Sequence, residues 1–147
     1  MHNRPIVYLD ETTMNSWCAL KKAWFFKGQK FVVPVNSDRG KNFTIYGAVG
    51  ACLVNKYSYF ELHDSTNKVD FMRYITNLAT EIRPGLRVKP WLVLDNHRAH
   101  CGADRMEIME RFFEVKFTPP YSCELNQPIE STWSTLKARA VPKFTEL

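Results

Sequence analysis

Trp91-Leu92-Val93-Leu94-Asp95-Asn96 opens, and Pro128-Ile129-Glu130-Ser131-Thr132-Trp133-Ser134-Thr135-Leu136-Lys137 closes, the part of this 147-residue chain whose reading decides the fold. The first run, Pro90 to Asp95, has the length and composition of a buried strand in a parallel sheet, and it stops at an acid. The second reads as a helix from about Pro128 to Ala140. Asn126 and Pro128 announce its start, and Ile129, Trp133, Leu136 and Ala140 recur at spacings of three and four, which predicts their burial. Near the other end of the chain, Ile6-Val7-Tyr8-Leu9-Asp10-Glu11-Thr12 repeats the pattern of a short apolar strand closed by an acid. Period-two alternation puts Ile6, Tyr8 and Asp10 on one face and Val7 and Leu9 on the other. Both faces are mostly apolar, so this strand is predicted to be central.

Working outward, Lys27-Gly28 reads as a turn between Trp24-Phe25-Phe26 and a run from Lys30 to Val35, and residues 36–41 read as a loop. Asn42 to Val54 is rich in β-formers, and Tyr57 to His63 follows Asn55-Lys56 as the second arm of a hairpin would. The period then changes. Val69, Met72, Ile75 (or Thr76), Ala79 and Ile82 recur at helical spacing, with Asn67 as N-cap, Asp70 three residues later, and Pro84-Gly85 as the stop. A second helix is predicted over Ala103 to Phe113, with Met106, Met109 and Phe113 on one side, and then a strand over Glu114 to Thr118, ended by Pro119-Pro120. Three antiparallel strands, then helix, strand, helix, strand and helix, predict an α/β chain built on a mixed sheet with helices on its faces. Neither an internal repeat nor an obvious linker interrupts it, so residues 1–147 are read as a single domain.

Composition narrows the function classes. Hydrophobic residues at 45% and charged residues at 24% are ordinary for a globular protein. The longest uncharged apolar stretch, Ile45 to Val54, is too short to span a bilayer, and the N-terminus lacks the basic and apolar regions of a signal peptide, so an intracellular protein without membrane contact is expected. Twenty Lys plus Arg against fifteen Asp plus Glu give a net charge of +5, which favours a polyanionic partner. Cys18, Cys52, Cys101 and Cys123 form no C-x-x-C pair, so neither a zinc cluster nor a disulfide framework is expected.

Singly, Asp10 and Asp95 could be turn formers, and Glu130 could serve the helix macrodipole, or a capping box if Gln127 is the N-cap. Together they carry more. Two acids at strand ends of one sheet, and a third on a helix packed across it, would repel one another unless cations sat between them, which implies bound divalent metal. Oxygen-only ligation favours Mg²⁺ or Mn²⁺ over zinc. Two such ions suit in-line displacement at a phosphodiester, with a basic surface to hold the nucleic acid.

At this point the sequence resembles a known family. Thirty-four residues separate Asp95 from Glu130, and Pro119-Pro120-Tyr121-Ser122-Cys123-Glu124-Leu125-Asn126-Gln127-Pro128-Ile129-Glu130 is similar to the P-P-Y-S-P-x-L-N-P-I-E signature of mariner-like transposases and their bacterial insertion-sequence relatives. Leu9-Asp10-Glu11-Thr12 resembles that family's first acidic motif, and Trp24 to Gln29 the segment that follows it. Leu94-Asp95-Asn96 with His100 resembles its D-N-x-x-x-H motif, and Trp133 with Leu136-Lys137 its W-x-x-L-K continuation. Two departures stand out: Cys123 replaces a proline, and Gln127 is an extra residue that could shift the start of the helix and the rotation of Glu130.

The resemblance implies a ribonuclease H-like fold, a five-stranded mixed sheet with helices on both faces. Asp10, Asp95 and Glu130 would bind two Mg²⁺ or Mn²⁺ ions for DNA strand cleavage and strand transfer. Glu124, separated from Asp95 by twenty-eight residues, fits the pattern poorly as a rival third acid, and Glu11 is expected on the opposite strand face in a structural role. His97, His100, Lys137, Arg39 and Lys41 are candidate DNA contacts, each with a bland alternative in a turn hydrogen bond or a solvated cation. Trp133 is expected in the core. The family usually carries a helix-turn-helix module before this domain, and none fits before Asp10. The expected partners are transposon-end and target DNA and a second copy of the chain, with no small-molecule substrate. The expected location is the nucleus in a eukaryote, or the cytoplasm and nucleoid in a bacterium. An inactive DNA-binding or structural derivative of the same fold, or a ribonuclease H-type nuclease, are the alternative functions.

Overall fold

The computed structural model describes residues 4–15, 27–28, 41–54, 57–64, 67–96, 100, 102–120, 122, 125 and 127–144. Its elements are β1 (Ile6–Asn15), β2 (Asn42–Gly50), β3 (Ser58–His63), α1 (Lys68–Thr80), β4 (Trp91–Leu94), α2 (Ala103–Phe112), β5 (Glu114–Phe117) and α3 (Gln127–Phe144). The five strands form one sheet in the order β3-β2-β1-β4-β5. β1, β2 and β3 pair antiparallel, and β1-β4 and β4-β5 pair parallel. This is the expected mixed sheet, with β1 at its centre. The run from Lys30 to Val35 lies outside the described residues.

Alternation sorts each strand between two layers. Val7 and Leu9 of β1, Tyr46 and Ala48 of β2, and Leu92 and Leu94 of β4 are buried on the face that α1 and α2 cover, together with Phe71, Tyr74, Ile75, Leu78, Met109 and Phe113. The opposite face carries Tyr8 and Asp10, and α3 packs across β1 and β2 there, burying Ile129 and Trp133.

The α1 stripe agrees with expectation only in part: Ile75 is buried and Ala79 and Ile82 pack against the core as predicted, but the first turns are rotated. Phe71, Tyr74, Ile75 and Leu78 face the core, whereas Val69 is 61% exposed. The large aromatics decide the rotation: Tyr74 stacks on both Tyr46 and Tyr59, with centroids 5.3 and 5.7 Å away, and such pairs outweigh a single valine. The helix also ends early. Ile82 leaves it to form a β-bridge with Leu53, and the Val54 and Arg83 N–H groups donate to the Glu81 and Cys52 carbonyls. The same bridge ends β2 at Gly50, short of the expected Val54.

The predicted cap is present: the Asn67 side chain accepts from the Asp70 N–H at 2.8 Å. Asn67→Ala is expected to cost about 1 kcal/mol. The check is a lower midpoint of urea unfolding with an unchanged slope.

Candidate active site

Asp10 lies near the middle of β1, and Asp95 directly follows the last residue of β4. Ile6 pairs with Trp91, Val7 with Leu92 and Tyr8 with Val93. Continuing that parallel register by two residues would bring the Asp95 backbone level with Asp10, although the pairing itself ends at Tyr8 and Val93 and the Asp95 carboxylate meets His100. A strand needs two residues to return to the same face, so the apolar run before Asp10 sets its side, whereas Asp95 lies beyond the end of β4 and takes its direction from His100.

Trp133 supplies the next contact. Its indole N–H donates to Asp10 Oδ2 at 2.8 Å, its ring meets Phe60 edge-on at 5.6 Å, and it lies over Gly47, the residue paired with Asp10 across β1 and β2. Glu130 precedes Trp133 by three residues in the first turn of α3, so the two share a side of the helix. Burial, and after it the charges of Glu11 and Glu130, push the Asp10 carboxyl up to about 6, although the Trp133 hydrogen bond and the Glu11 backbone N–H oppose the rise. Glu130 is therefore close enough to be felt by Asp10. A carboxyl raised in this way lacks positive charge in its surroundings, and a hard divalent cation fits that deficit.

Asp95 is held from behind. His100 Nδ1 lies 2.9 Å from Asp95 Oδ1 and 3.3 Å from the Asp95 carbonyl. Its Nε2 lies 3.1 and 2.9 Å from the two Glu11 carboxylate oxygens. The atoms it faces are carboxylate and carbonyl oxygens, an arrangement that favours the protonated ring, from which both nitrogens can donate. Burial opposes that charge, but hydrogen bonding and attraction from Glu11, reinforced by Asp95, hold its pKa above the ordinary histidine value.

The expected DNA contacts divide. His100 is only 2% exposed and its contacts to Asp95 favour the turn hydrogen-bond alternative over a DNA contact. His97 and Arg39 lie outside the described residues. Lys137, two turns beyond Glu130 on α3, and Lys41, at the start of β2, are exposed. Glu11 points to the opposite face from Asp10, as expected. Trp133 is buried as expected, but it also reaches an acid; its three-residue spacing from Glu130 was the available signal. Among the described residues, no three His, Cys, Asp or Glu side chains stand grouped closely enough to hold a metal ion as they lie.

The sequence model of the DDE superfamily endonuclease family matches residues 5–146. The chain belongs to the DDE superfamily endonucleases. No curated protein matches it. Solved structures with the same fold include the Mos1 mariner paired-end complex with Mn, at 20% identity and a TM-score of 0.69 over 92% of this chain and 42% of that one. The catalytic domain of Mos1 mariner transposase matches at 18% identity and 0.62, over 93% of this chain and 60% of that one. A chain of a simian T-cell lymphotropic virus intasome complex matches at 13% and 0.63, over 96% of this chain and 41% of that one. These likenesses establish the ribonuclease H-like fold for this DDE superfamily endonuclease, which spans less than two thirds of each of the three chains.

Proposed function

We propose that this DDE endonuclease is the catalytic domain of a DNA transposase, which cleaves phosphodiesters at transposon ends and transfers the freed strand to target DNA. The observation that supports the reading is the parallel pairing of β1, which carries Asp10, with β4, which Asp95 directly follows, on a sheet crossed by the helix bearing Glu130. These three carboxylates are the proposed holders of two Mg²⁺ or Mn²⁺ ions. When bound, such ions supply activation of the attacking water or hydroxyl and charge stabilisation at the departing oxygen. The chain's own part is positional. Trp133 fixes the rotation of Asp10, His100 holds Asp95, and α3 brings Glu130 over the sheet. Lys137 and Lys41 offer exposed cations for backbone phosphates, a contact that reads no sequence.

Terminal-repeat recognition would reside in a separate module, and transposition would pair two copies of the chain on DNA. DNA as substrate puts the work in the nucleus of a eukaryote, or in the cytoplasm and nucleoid of a bacterium.

Nicking of supercoiled DNA in Mn²⁺ tests the reading. Asp95→Asn and Glu130→Gln are each expected to slow it by at least about a hundredfold, since each removes part of the charge that holds the ions. Wild-type rates in either variant would refute the reading. The lack of a ready metal-binding trio among the described residues favours a second reading, a fold kept for DNA binding alone. That reading requires no Mn²⁺ uptake and DNA retention unaffected by Asp95→Asn. Cleavage of an RNA-DNA hybrid in preference to duplex DNA would instead indicate a ribonuclease H-type enzyme.

A further inference from the structure

Asp95 stands just beyond the last residue of β4 and its side chain is 52% exposed, so strand pairing alone leaves it several rotamers. His100 is the buried group that limits them. Its ring is stacked on Phe71 of α1, with centroids 5.2 Å apart and planes 29° from parallel. One ring nitrogen meets Asp95 through both its carboxylate and its carbonyl; the other meets both oxygens of Glu11, 89 residues earlier in the sequence. Glu11 is anchored in the middle of β1, where it pairs with Tyr46 of β2. The acid next to Asp10 on β1 is therefore tied through one imidazole to the acid at the end of β4.

We propose that Glu11 and His100 form a positioning strut, which fixes the side chain of Asp95 relative to Asp10 and so sets the affinity of the carboxylate site for divalent metal. The inference rests on the metal-site reading above and adds to it two residues that touch neither metal nor DNA. Partners that orient a metal ligand commonly influence affinity by about ten- to a hundredfold.

Two substitutions separate the strut from mere packing. Asparagine places its amide nitrogen near the position of histidine Nδ1, and glutamine places its own near Nε2. His100→Asn keeps a donor for Asp95 and loses Glu11, whereas His100→Gln keeps a donor for Glu11 and loses Asp95. Both remove the ring from Phe71, so a packing role would make them equal.

The experiment is Mn²⁺ titration calorimetry without DNA on wild type, His100→Asn, His100→Gln, Glu11→Ala and Asp95→Asn, with folding of each confirmed by circular dichroism. The strut predicts that Mn²⁺ affinity falls about tenfold in His100→Asn and in Glu11→Ala, which both lose the Glu11 tie, but about a hundredfold in His100→Gln, which loses the contact to Asp95 itself. Equal losses in the two His100 variants, or wild-type affinity in a folded Glu11→Ala, would overturn it. Glu11→Ala keeps the imidazole in place and so decides the matter if the His100 variants do not fold. Asp95→Asn separates the two levels of inference. If it binds Mn²⁺ as well as wild type, the metal-site reading fails and the strut with it. If it loses binding while Glu11→Ala does not, only the strut fails.

Discussion

Gly47→Ala is expected to destabilise the protein by about 3 kcal/mol, the upper part of the range for overpacking a tight interior position. A β-carbon at Gly47 would overlap Trp133 Cη2 and stand 2.8 Å from both Trp133 Cζ2 and Phe60 Cε1. The indole has no easy retreat, because Trp133 is 4% exposed and sits between the sheet and its own helix. Moving the indole means moving α3 away from β2. That displacement would also break the Trp133 hydrogen bond to Asp10 and carry Glu130 off with the helix, so metal binding should weaken together with stability. The prediction is checked by urea unfolding beside Mn²⁺ titration. A variant as stable as wild type would show that α3 is not seated on Gly47. A destabilised variant with unchanged Mn²⁺ affinity would show that the site does not depend on this seat. The glycine is thus required by close approach of a helix to the sheet, the condition under which a strand tolerates the entropic cost of having no side chain.

The sequence was readable where a local rule applies. The apolar runs before Asp10 and Asp95 were enough to read both as strands of one sheet, which the β1-β4 pairing shows. The Asn67 cap and the element order followed from spacing in the same way. The start of the α1 stripe was misread because counting apolar positions gives Val69 and Phe71 similar weight, whereas the fold chooses the rotation that stacks Tyr74 on Tyr46 and Tyr59. The end of α1 was misread for a related reason: Leu53, twenty-nine residues earlier in the chain, captures the backbone at Ile82, and no local signal announces that partner. His100 shows the same limit at the site. Its position five residues after Asp95 suits a surface contact as well as a buried bridge, and the choice is made by Glu11 and Phe71, both distant in sequence.

Asp10→Asn is expected to raise the stability of the metal-free protein at neutral pH while removing its response to metal. The Asp10 carboxyl has a folded pKa of about 6 against an ordinary value of 3.8, so the folded state binds its proton more tightly than the unfolded chain does. Below the ordinary value the carboxyl is neutral in both states and exerts no penalty. As pH rises from about 4 through about 6, the unfolded chain ionises first, and the fold loses stability until the folded carboxyl has ionised too. The full shift would correspond to about 3 kcal/mol, and solvent screening of this partly exposed group reduces that to about 1–2 kcal/mol. The unfolding midpoint of Asp10→Asn should then exceed that of wild type by about 3–6 °C at pH 7.5 and differ little at pH 4. Asparagine retains an oxygen for the Trp133 N–H, so the comparison isolates the charge. Millimolar Mn²⁺ should reverse the order at pH 7.5, since the cation stabilises only a protein that can bind it, and it should lose that effect below about pH 6, where proton and metal compete for the same carboxylate. Thermal unfolding at the two pH values, with and without Mn²⁺, measures all four states. Lower stability of Asp10→Asn at pH 7.5 without metal, or a difference that does not change with pH, would mean that Asp10 is held by the fold itself and is not a carboxylate kept under strain for a cation.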